Sequence, residues 1–219
     1  MNAREIFLAG VGTAALTCEK AGEVISDLIK KGKLSVEEGK QLSEELKKNM
    51  KEKTDKASDE YYTPRDAVLP IIKYIDRGNK PQYTVWCPFD TAESEYVKCI
   101  QEAGHKVIFS HIDNGQNFFE YEPSEHYDYI ISNPPFSIKD DILRRLSELG
   151  KPFAILLPLP TLQGQKRFEY LKDTQALVFD KRINFYTDIE HKNMAKGVAF
   201  ASIYICKDFL PSDLIFEKL

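Results

Sequence analysis

The sequence predicts an α/β protein whose mostly parallel sheet is covered by helices on both faces. Short apolar segments alternate with helical patterns through the middle of the chain, as parallel strands require. The last two strand-like segments have no long helix between them, so we expect an antiparallel strand to complete the sheet. The composition, with 42% hydrophobic and 29% charged residues, is typical of a globular protein with a substantial core.

The predicted elements follow one another along the chain. The first helix is expected to have Thr63 as its N-cap, Pro64 at its first position and an end at Gly78. Later helices are predicted at residues 93–103 and 140–149, each followed by a glycine, and another helix begins near Gln165. The predicted strands cover residues 84–86, 106–110, 129–132, 153–157, 176–179, 183–185 and 198–206.

Residues 1–55 have a different pattern and predict a helical hairpin. Apolar residues at helical spacing indicate two amphipathic helices, with Gly32 at the end of the first. Ser35 and Glu38 have the spacing of a capping box and predict the start of the second helix. Since such a hairpin cannot bury its apolar stripe alone, it should pack on the rest of the chain or on another copy. Residues 56–60 are predicted to be a linker, and residues 61–219 the α/β domain.

The segment "GTAALTCEKAGEVISDLIKKGKLSVEEGKQLSEEL" resembles the small phasin-like helical proteins in its helix pattern and turn. The resemblance implies a helical module that oligomerises or binds a surface. We therefore expect self-association through the N-terminal helices. One possible interpretation of the whole chain is that this hairpin is its functional part.

An apolar stretch at residues 6–16 is similar to the core of a signal peptide. Glu5 and Glu19 flank it and leave it far shorter than a membrane span, so we interpret it as helix. We expect a cytoplasmic protein that does not enter a membrane, and export stays the alternative. The cysteines lie far apart, which favours reduced thiols over a disulfide framework or a metal site. They are Cys18, Cys87, Cys99 and Cys206.

The most informative motif is "NPPF", Asn133 to Phe136, which directly follows a predicted buried strand. Ligands of open α/β sheets bind at the carboxyl ends of strands. Pro134 and Pro135 fix the backbone and remove N–H donors, so their carbonyl oxygens are left as acceptors. The Asn133 side chain adds a carbonyl acceptor, and Phe136 offers an aromatic face. These groups match an exocyclic amine on a planar ring, although a rigid turn after a core strand would have the same residues.

The motif resembles the (Asp/Asn/Ser)-Pro-Pro-(Tyr/Phe) signature of amino methyltransferases, chiefly the adenine-N6 DNA methyltransferases. The resemblance implies a Rossmann-like methyltransferase sheet, S-adenosyl-L-methionine as cofactor and DNA as substrate. It implies that Asn133 and the Pro134 carbonyl accept hydrogen bonds from the target amine and that Phe136 stacks on the base, with Pro135 in the same catalytic turn. Such a base must first be flipped out of a duplex.

Three further segments match the places where this family binds its cofactor. Residues 62–64, which are Tyr62, Thr63 and Pro64, resemble the segment before the first helix. Residues 87–89, which are Cys87, Pro88 and Phe89, resemble the Asp-Pro-Phe that opens the cofactor loop. After the second strand, Asp113 is expected to hold the ribose hydroxyls. Asn117, followed by Phe118, stands where the family often has an aspartate that reads the cofactor's adenine amine.

The chain departs from the family in its cofactor loop. Thr91, Ala92 and Glu93 replace a Gly-x-Gly that allows close backbone approach, and Cys87 replaces the acid. A relative without catalytic activity, which binds nucleic acid or other proteins, is therefore the alternative from a different class. RNA adenine and protein amides are alternative targets, because they present the same planar amine.

The charge pattern leaves a nucleic-acid surface open. The net charge of −4 argues against general coating of polyanions but not against a local basic groove. The sequence pattern after Asn133 does not indicate a separate target-recognition domain, so we expect a short or relaxed target sequence. The basic residues that follow the motif are Lys139, Arg144, Arg145, Lys166, Arg167, Lys181, Arg182, Lys192 and Lys196.

Overall fold

The computed structural model describes residues 25, 29–31, 35–38, 40, 41, 44, 61–75, 80–188, 190–195 and 200–219. The chain divides into two compact units, Met1–Ser58 and Asp59–Leu219. In the first unit the predicted capping box is confirmed. The Glu38 N–H donates to Ser35 Oγ at 3.2 Å, and the Ser35 N–H donates to Glu38 Oε2 at 2.8 Å. Most of the predicted hairpin, the stretch at 6–16, Cys18 and the linker at 56–60 lie outside the described residues.

The second unit contains four helices and seven strands among its described residues. The helices are α1 (Arg65–Ile72), α2 (Glu95–Glu102), α3 (Lys139–Leu149) and α4 (Phe168–Leu171). The strands are β1 (Thr84–Cys87), β2 (Lys106–Phe109), β3 (Tyr129–Ser132), β4 (Phe153–Pro158), β5 (Gln175–Phe179), β6 (Ser202–Lys207) and β7 (Leu214–Glu217).

The strands form one sheet in the order β2-β1-β3-β4-β6-β5-β7. Strand β6 runs antiparallel to β4 and β5, and all other neighbouring strands are parallel. The predicted mostly parallel, Rossmann-like α/β sheet with an antiparallel strand near the end of the chain is confirmed. Strand β7, which extends the sheet beyond β5, is an addition that the sequence pattern did not predict.

The strand order determines where a ligand can bind. Every strand except β6 ends at the same edge of the sheet, which we call the carboxyl edge. From β1 the chain passes through α2 to β2 on one side, and β3 then lies on the other side of β1. Right-handed crossovers therefore place α2 and α3 on opposite faces. The crevice between β1 and β3 is the topological switch point, the usual ligand site of such sheets.

The core lies on both faces of the central strands. The first five residues of β4 are buried, as are the last three of β1 and of β3, which explains their continuous apolar sequence. Trp86 is fully buried in β1, and its indole N–H donates to Ser110 Oγ at 2.9 Å. Its ring contacts Phe118 and Tyr127, at centroid distances of 5.5 and 5.2 Å. These contacts hold the segment between β2 and β3 against the core.

Three local predictions differ from the structure. Pro64 has an extended backbone (φ −70°, ψ 154°), so it is the N-cap itself and α1 begins one residue later than predicted. Helix α1 ends at Ile72, before the predicted Gly78. Residues 183–185 form no strand: Ile183 and Phe185 are buried by packing, and the ladder contact falls on Tyr186, which bridges to Tyr62. Apolar alternation there reflected burial rather than strand pairing.

Other global features follow from the described residues. The helices among them lack the length and apolar character of a membrane-spanning segment. Within the same residues, His, Cys, Asp and Glu side chains do not form a group that could ligate a metal ion. Cys87, Cys99 and Cys206 are free, buried thiols, and burial raises the pKa of the Cys99 thiol to about 11.

Candidate active site

The Asn133–Phe136 turn lies at the carboxyl edge, directly after β3. Ser132 is the fully buried last residue of that strand, and Pro134 is also buried. Pro135 has φ −57° and ψ 127°, and a short 3₁₀ helix, Phe136–Ile138, follows it. The two prolines hold the chain extended before it turns into α3, so the position of Asn133 is set by both β3 and the turn.

The side chain of Asn133 is held by one hydrogen bond. Its Nδ2 donates to the backbone carbonyl of Tyr61 at 2.9 Å. This bond orients the amide so that Oδ1 is left as an acceptor. Oδ1 is buried and has no hydrogen-bond partner within the described part of the chain. Since a buried acceptor without a partner is costly, this atom is suited to receive a donor from a ligand.

Phe136 lies in an aromatic cluster rather than on an open surface. Its ring is 7% exposed and contacts Tyr61, Phe185 and Phe200, with centroids 6.3, 6.3 and 5.3 Å away. The ring of Tyr61 stacks on it at an interplanar angle of 28°. Phe136 therefore stabilises the turn by packing, in addition to any contact with a planar ligand.

Asp90 is a site residue to which the sequence reasoning gave no role. It lies in the loop after β1, is 6% exposed, and accepts a hydrogen bond from Ser132 Oγ at 2.5 Å. Burial raises the pKa of the Asp90 carboxyl to about 6, and the hydroxyls of Ser132 and Ser94 oppose that rise. Its role could have been predicted from the sequence, because Asp90 is a charged residue that follows Pro88 and Phe89 directly after a buried strand.

The segment 62–64 lies beside the turn. Thr63 and Pro64 are buried, and Tyr62 is partly buried. The backbone of Tyr62 pairs with Tyr186: each N–H donates to the other residue's carbonyl, at 2.9 and 3.0 Å. Together with the Tyr61 carbonyl on Asn133, these bonds bring the start of the unit to the β3 end of the crevice.

The end of β1 and the loop that follows it form the other side of the crevice. Cys87 and Pro88 are buried and Phe89 is partly buried. In the loop that replaces Gly-x-Gly, the side chains of Ala92 and Glu93 are exposed. The Thr91 N–H donates to Ser94 Oγ and the Ser94 N–H donates to the Thr91 carbonyl, both at 3.1 Å. The loop is thus closed by its own hydrogen bonds before α2 begins.

The predicted cofactor-binding residues after β2 differ in how exposed they are. The side chain of Asp113 is 81% exposed, on a 3₁₀ turn at Ile112–Asn114. Asn117 Oδ1 accepts from the Phe119 N–H at 3.2 Å and so shapes its own turn. Phe118 is 2% exposed and packs on Phe89, with ring centroids 4.9 Å apart. Asp113 is thus open to solvent, Asn117 is partly buried and holds a backbone hydrogen bond, and Phe118 supports the loop by packing.

The basic residues after the motif fall into two groups. Most of them form ion pairs or bind the local backbone: Arg144 with Asp141, Arg145 with Glu122 and Glu148, Arg167 with Asp140, Lys192 with Glu190, and Lys139 with the Phe136 carbonyl. Lys166, Lys181 and Arg182 are exposed and have no ion pair among the described residues. Lys166 follows β4 and the other two follow β5, so all three lie beyond the carboxyl edge. Lys196 lies outside the described residues.

Fold and site together define a class of protein: a doubly wound α/β protein with a buried amide oxygen, unpartnered within the described residues, at the carboxyl end of a strand beside the switch point. Neither a family model nor a curated protein matches the chain.

Solved structures do match the chain. A proposed class I S-adenosylmethionine-dependent methyltransferase from Listeria monocytogenes is 14% identical, covering 92% of this chain and 85% of that one, with a TM-score of 0.41. A methyltransferase subunit of a type I restriction-modification system from Streptococcus thermophilus is 16% identical, covering 73% and 47%, with a TM-score of 0.43. A proposed methyltransferase from Thermoplasma acidophilum is 11% identical, covering 67% and 77%, with a TM-score of 0.35. The chain spans about half the length of the Streptococcus subunit.

Proposed function

We propose that the chain is an S-adenosyl-L-methionine-dependent methyltransferase that methylates the N6 amine of adenine in DNA. The observation that carries this proposal is the buried Oδ1 of Asn133, which has no partner among the described residues. A planar amine entering the crevice would satisfy it, and the Pro134 carbonyl oxygen is the second acceptor. The turn thus matches the two N–H groups of one exocyclic amine.

The residues of the turn contribute by orienting the amine. With both N–H groups held by acceptors, the nitrogen lone pair points out of the plane of the base. The cofactor, when bound, supplies the electrophilic methyl group that this lone pair attacks. The contribution of Asn133 and Pro134 is therefore mainly proximity and orientation. Phe136 packs in its aromatic cluster directly after these residues, so the turn is supported by apolar contacts.

The cofactor would be held between the loops that end β1, β2 and the segment before α1. Residues 62–64 and 87–89 flank the crevice on its two sides, and Asp113 and Asn117 lie next to the second of these loops. Ala92 and Glu93 stand in the stretch where the family has its glycines, and their side chains are exposed rather than packed into the core. This supports a loop that still accommodates a ligand, with altered contacts.

DNA is favoured as the substrate by the cations at the carboxyl edge. Lys166, Lys181 and Arg182 are exposed without ion pairs among the described residues and can meet phosphates on the side from which a base would enter. A protein amide would present the same amine without needing these charges. We also propose that the target sequence is short or relaxed.

Methyl transfer from labelled cofactor to DNA, RNA and amide peptides tests the proposal. We expect incorporation into DNA adenine, and a loss of about 100-fold or more in the Asn133→Ala variant. Gln82→Ala is the matched control, because Gln82 Nε2 also donates to a backbone carbonyl, that of Gly104 at 2.8 Å, at the opposite edge of the sheet. Full activity of Asn133→Ala would exclude the assigned role of the turn.

A protein without catalytic activity is the second candidate, and the replaced glycines at Thr91 and Glu93 are the observation that favours it. Calorimetry with S-adenosyl-L-methionine separates the two candidates. Binding with a dissociation constant of about 1–100 μM, equivalent to roughly −8 to −5.5 kcal/mol, supports the enzyme. Absence of binding at millimolar cofactor, with and without DNA, supports the non-catalytic protein.

A further inference from the structure

Asp90 joins the two sides of the crevice. It belongs to the loop after β1, and its carboxylate accepts a hydrogen bond from the hydroxyl of Ser132, the residue immediately before Asn133, at 2.5 Å. Its backbone N–H donates to the Ser110 carbonyl at 3.2 Å, beyond the end of β2. One buried residue thus connects the carboxyl ends of β1, β2 and β3.

The surroundings of Asp90 make this connection dependent on its charge. The groups that face it are the hydroxyls of Ser132 and Ser94, the thiol of Cys87, and the phenols of Tyr96 and Tyr204 from α2 and β6. Burial raises the pKa of the Cys87 thiol and of both phenols above their ordinary values, so these groups stay neutral between pH 4 and 8. Asp90 is the group in this cluster that changes charge within that range.

We propose that Asp90 is a positioning residue that holds Asn133 in its acceptor geometry through Ser132. An ionised Asp90 makes a charge-assisted hydrogen bond with Ser132 Oγ and fixes the end of β3. A protonated Asp90 weakens that bond and lets the end of β3, with Asn133, relax. This inference deepens the proposed function, since it concerns the same turn, but the arrangement of Asn133 can be measured without any activity.

The test follows the side-chain amide of Asn133 by ¹⁵N NMR between pH 4.5 and 8, with its signals assigned by their loss in Asn133→Ala. Because Nδ2 donates to the Tyr61 carbonyl, the amide shifts report the geometry of that bond. In the unmodified protein we expect these signals to titrate with an apparent pKa of about 6. In Asp90→Asn we expect a flat profile with a retained fold, checked by circular dichroism.

Two further variants test whether Asp90 affects Asn133 through the hydrogen bond to Ser132. Ser132→Ala keeps the carboxyl group but removes the link, so the Asn133 signals should no longer follow pH. If they still titrate, Asp90 acts through space and the positioning role is overturned. Asp128→Asn is the matched control, because Asp128 is a hydrogen-bonded aspartate just before the other end of the same strand. In Asp128→Asn the Asn133 signals should change with pH as they do in the unmodified protein.

The two proposals fail in different ways. Asn133 signals that do not titrate near pH 6, or that titrate equally in Asp90→Asn, overturn the role of Asp90 and leave the methyltransferase proposal intact. Absent cofactor binding alongside the expected titration would overturn the methyltransferase proposal and leave the role of Asp90 standing.

Discussion

The Asn133 side chain donates to the backbone carbonyl of Tyr61 at 2.9 Å, across 72 residues of sequence. The nitrogen of the amide is thus used as a donor, and its oxygen is buried without a partner among the described residues. Tyr61 therefore determines which end of the amide is offered to a ligand. A carboxamide meets both requirements at once, since it has one donor for the backbone and one acceptor for an amine.

Asn133→Asp tests that arrangement. At pH 8 a carboxylate oxygen would face the Tyr61 carbonyl, and the repulsion should displace the acceptor. We expect methyl transfer to fall by about 100-fold at pH 8. At lower pH a protonated Asp would donate to Tyr61 again, so the ratio of variant to unmodified rate should rise as pH falls. Equal rates at pH 8 would contradict the role given to Tyr61.

Phe136→Ala should destabilise the fold, because the ring is 7% exposed among Tyr61, Phe185 and Phe200. We expect the free energy of unfolding to fall by about 3–5 kcal/mol in urea denaturation. Phe136→Leu keeps much of the volume and should lose less. A loss below about 1 kcal/mol for alanine would mean that the ring is not packed as described.

Tyr96 and Tyr204 should differ in their phenylalanine variants. Their hydroxyls are 2.8 Å apart, and Tyr204 donates to the Ala67 carbonyl at 3.1 Å. Tyr204→Phe takes a partner from both Tyr96 and Ala67 and should cost about 1–3 kcal/mol of unfolding free energy. Tyr96→Phe leaves the bond to Ala67 in place and should cost about 0.5–1.5 kcal/mol. Urea denaturation gives both values, and the reverse order would contradict the assigned donors.

The pH dependence of stability should carry the signature of Asp90. Its pKa is raised from 3.8 to about 6, so the folded state binds the proton more tightly than the unfolded state. Its contribution to stability is complete below pH 3.8 and is lost as pH rises through 6. The unfolding free energy of the unmodified protein minus that of Asp90→Asn should therefore fall by roughly 2 kcal/mol between pH 4 and 7.

Asp128→Asn is the control for that measurement. Burial raises the pKa of Asp128, but Lys80, the Thr84 N–H and His126 outweigh it and hold the pKa below 3.8. The contribution of Asp128 is present above pH 3.8 and is lost only at lower pH. The unfolding free energy of the unmodified protein minus that of Asp128→Asn should therefore not change between pH 4 and 7. If the same difference for Asp90→Asn also did not change, the buried state of Asp90 would be contradicted.

The cations at the carboxyl edge should determine the salt dependence of DNA binding. Replacing Lys166, Lys181 and Arg182 together with alanine should lower the slope of log K against log salt by about 0.9 for each phosphate that the protein no longer neutralises. Fluorescence anisotropy over a salt series measures it. Lys106→Ala is the control, because Lys106 pairs with Glu125 at the amino end of β2. An unchanged slope in the triple variant would exclude this surface as the place where phosphates bind.

Much of the fold was predictable because its signals are local. Continuous apolar runs identified β1 to β4, and glycines marked the ends of α2 and α3. The Ser35–Glu38 capping box was readable from two residues three positions apart. The pattern was misleading at residues 183–185, where burial without strand pairing has the same apolar alternation. It also missed β7, whose Leu214 and Phe216 are exposed at the edge of the sheet.

The sequence by itself determined the order of the elements and the presence of a stiff acceptor turn after a buried strand, because periodicity and proline act over a few residues. Only the tertiary structure decided what that turn contacts. Tyr61 lies 72 residues from Asn133, and Asp90 lies 42 residues from Ser132. Such pairs depend on how the strands are ordered and how the loops pack at the carboxyl edge, and local sequence patterns carry no information about those distances.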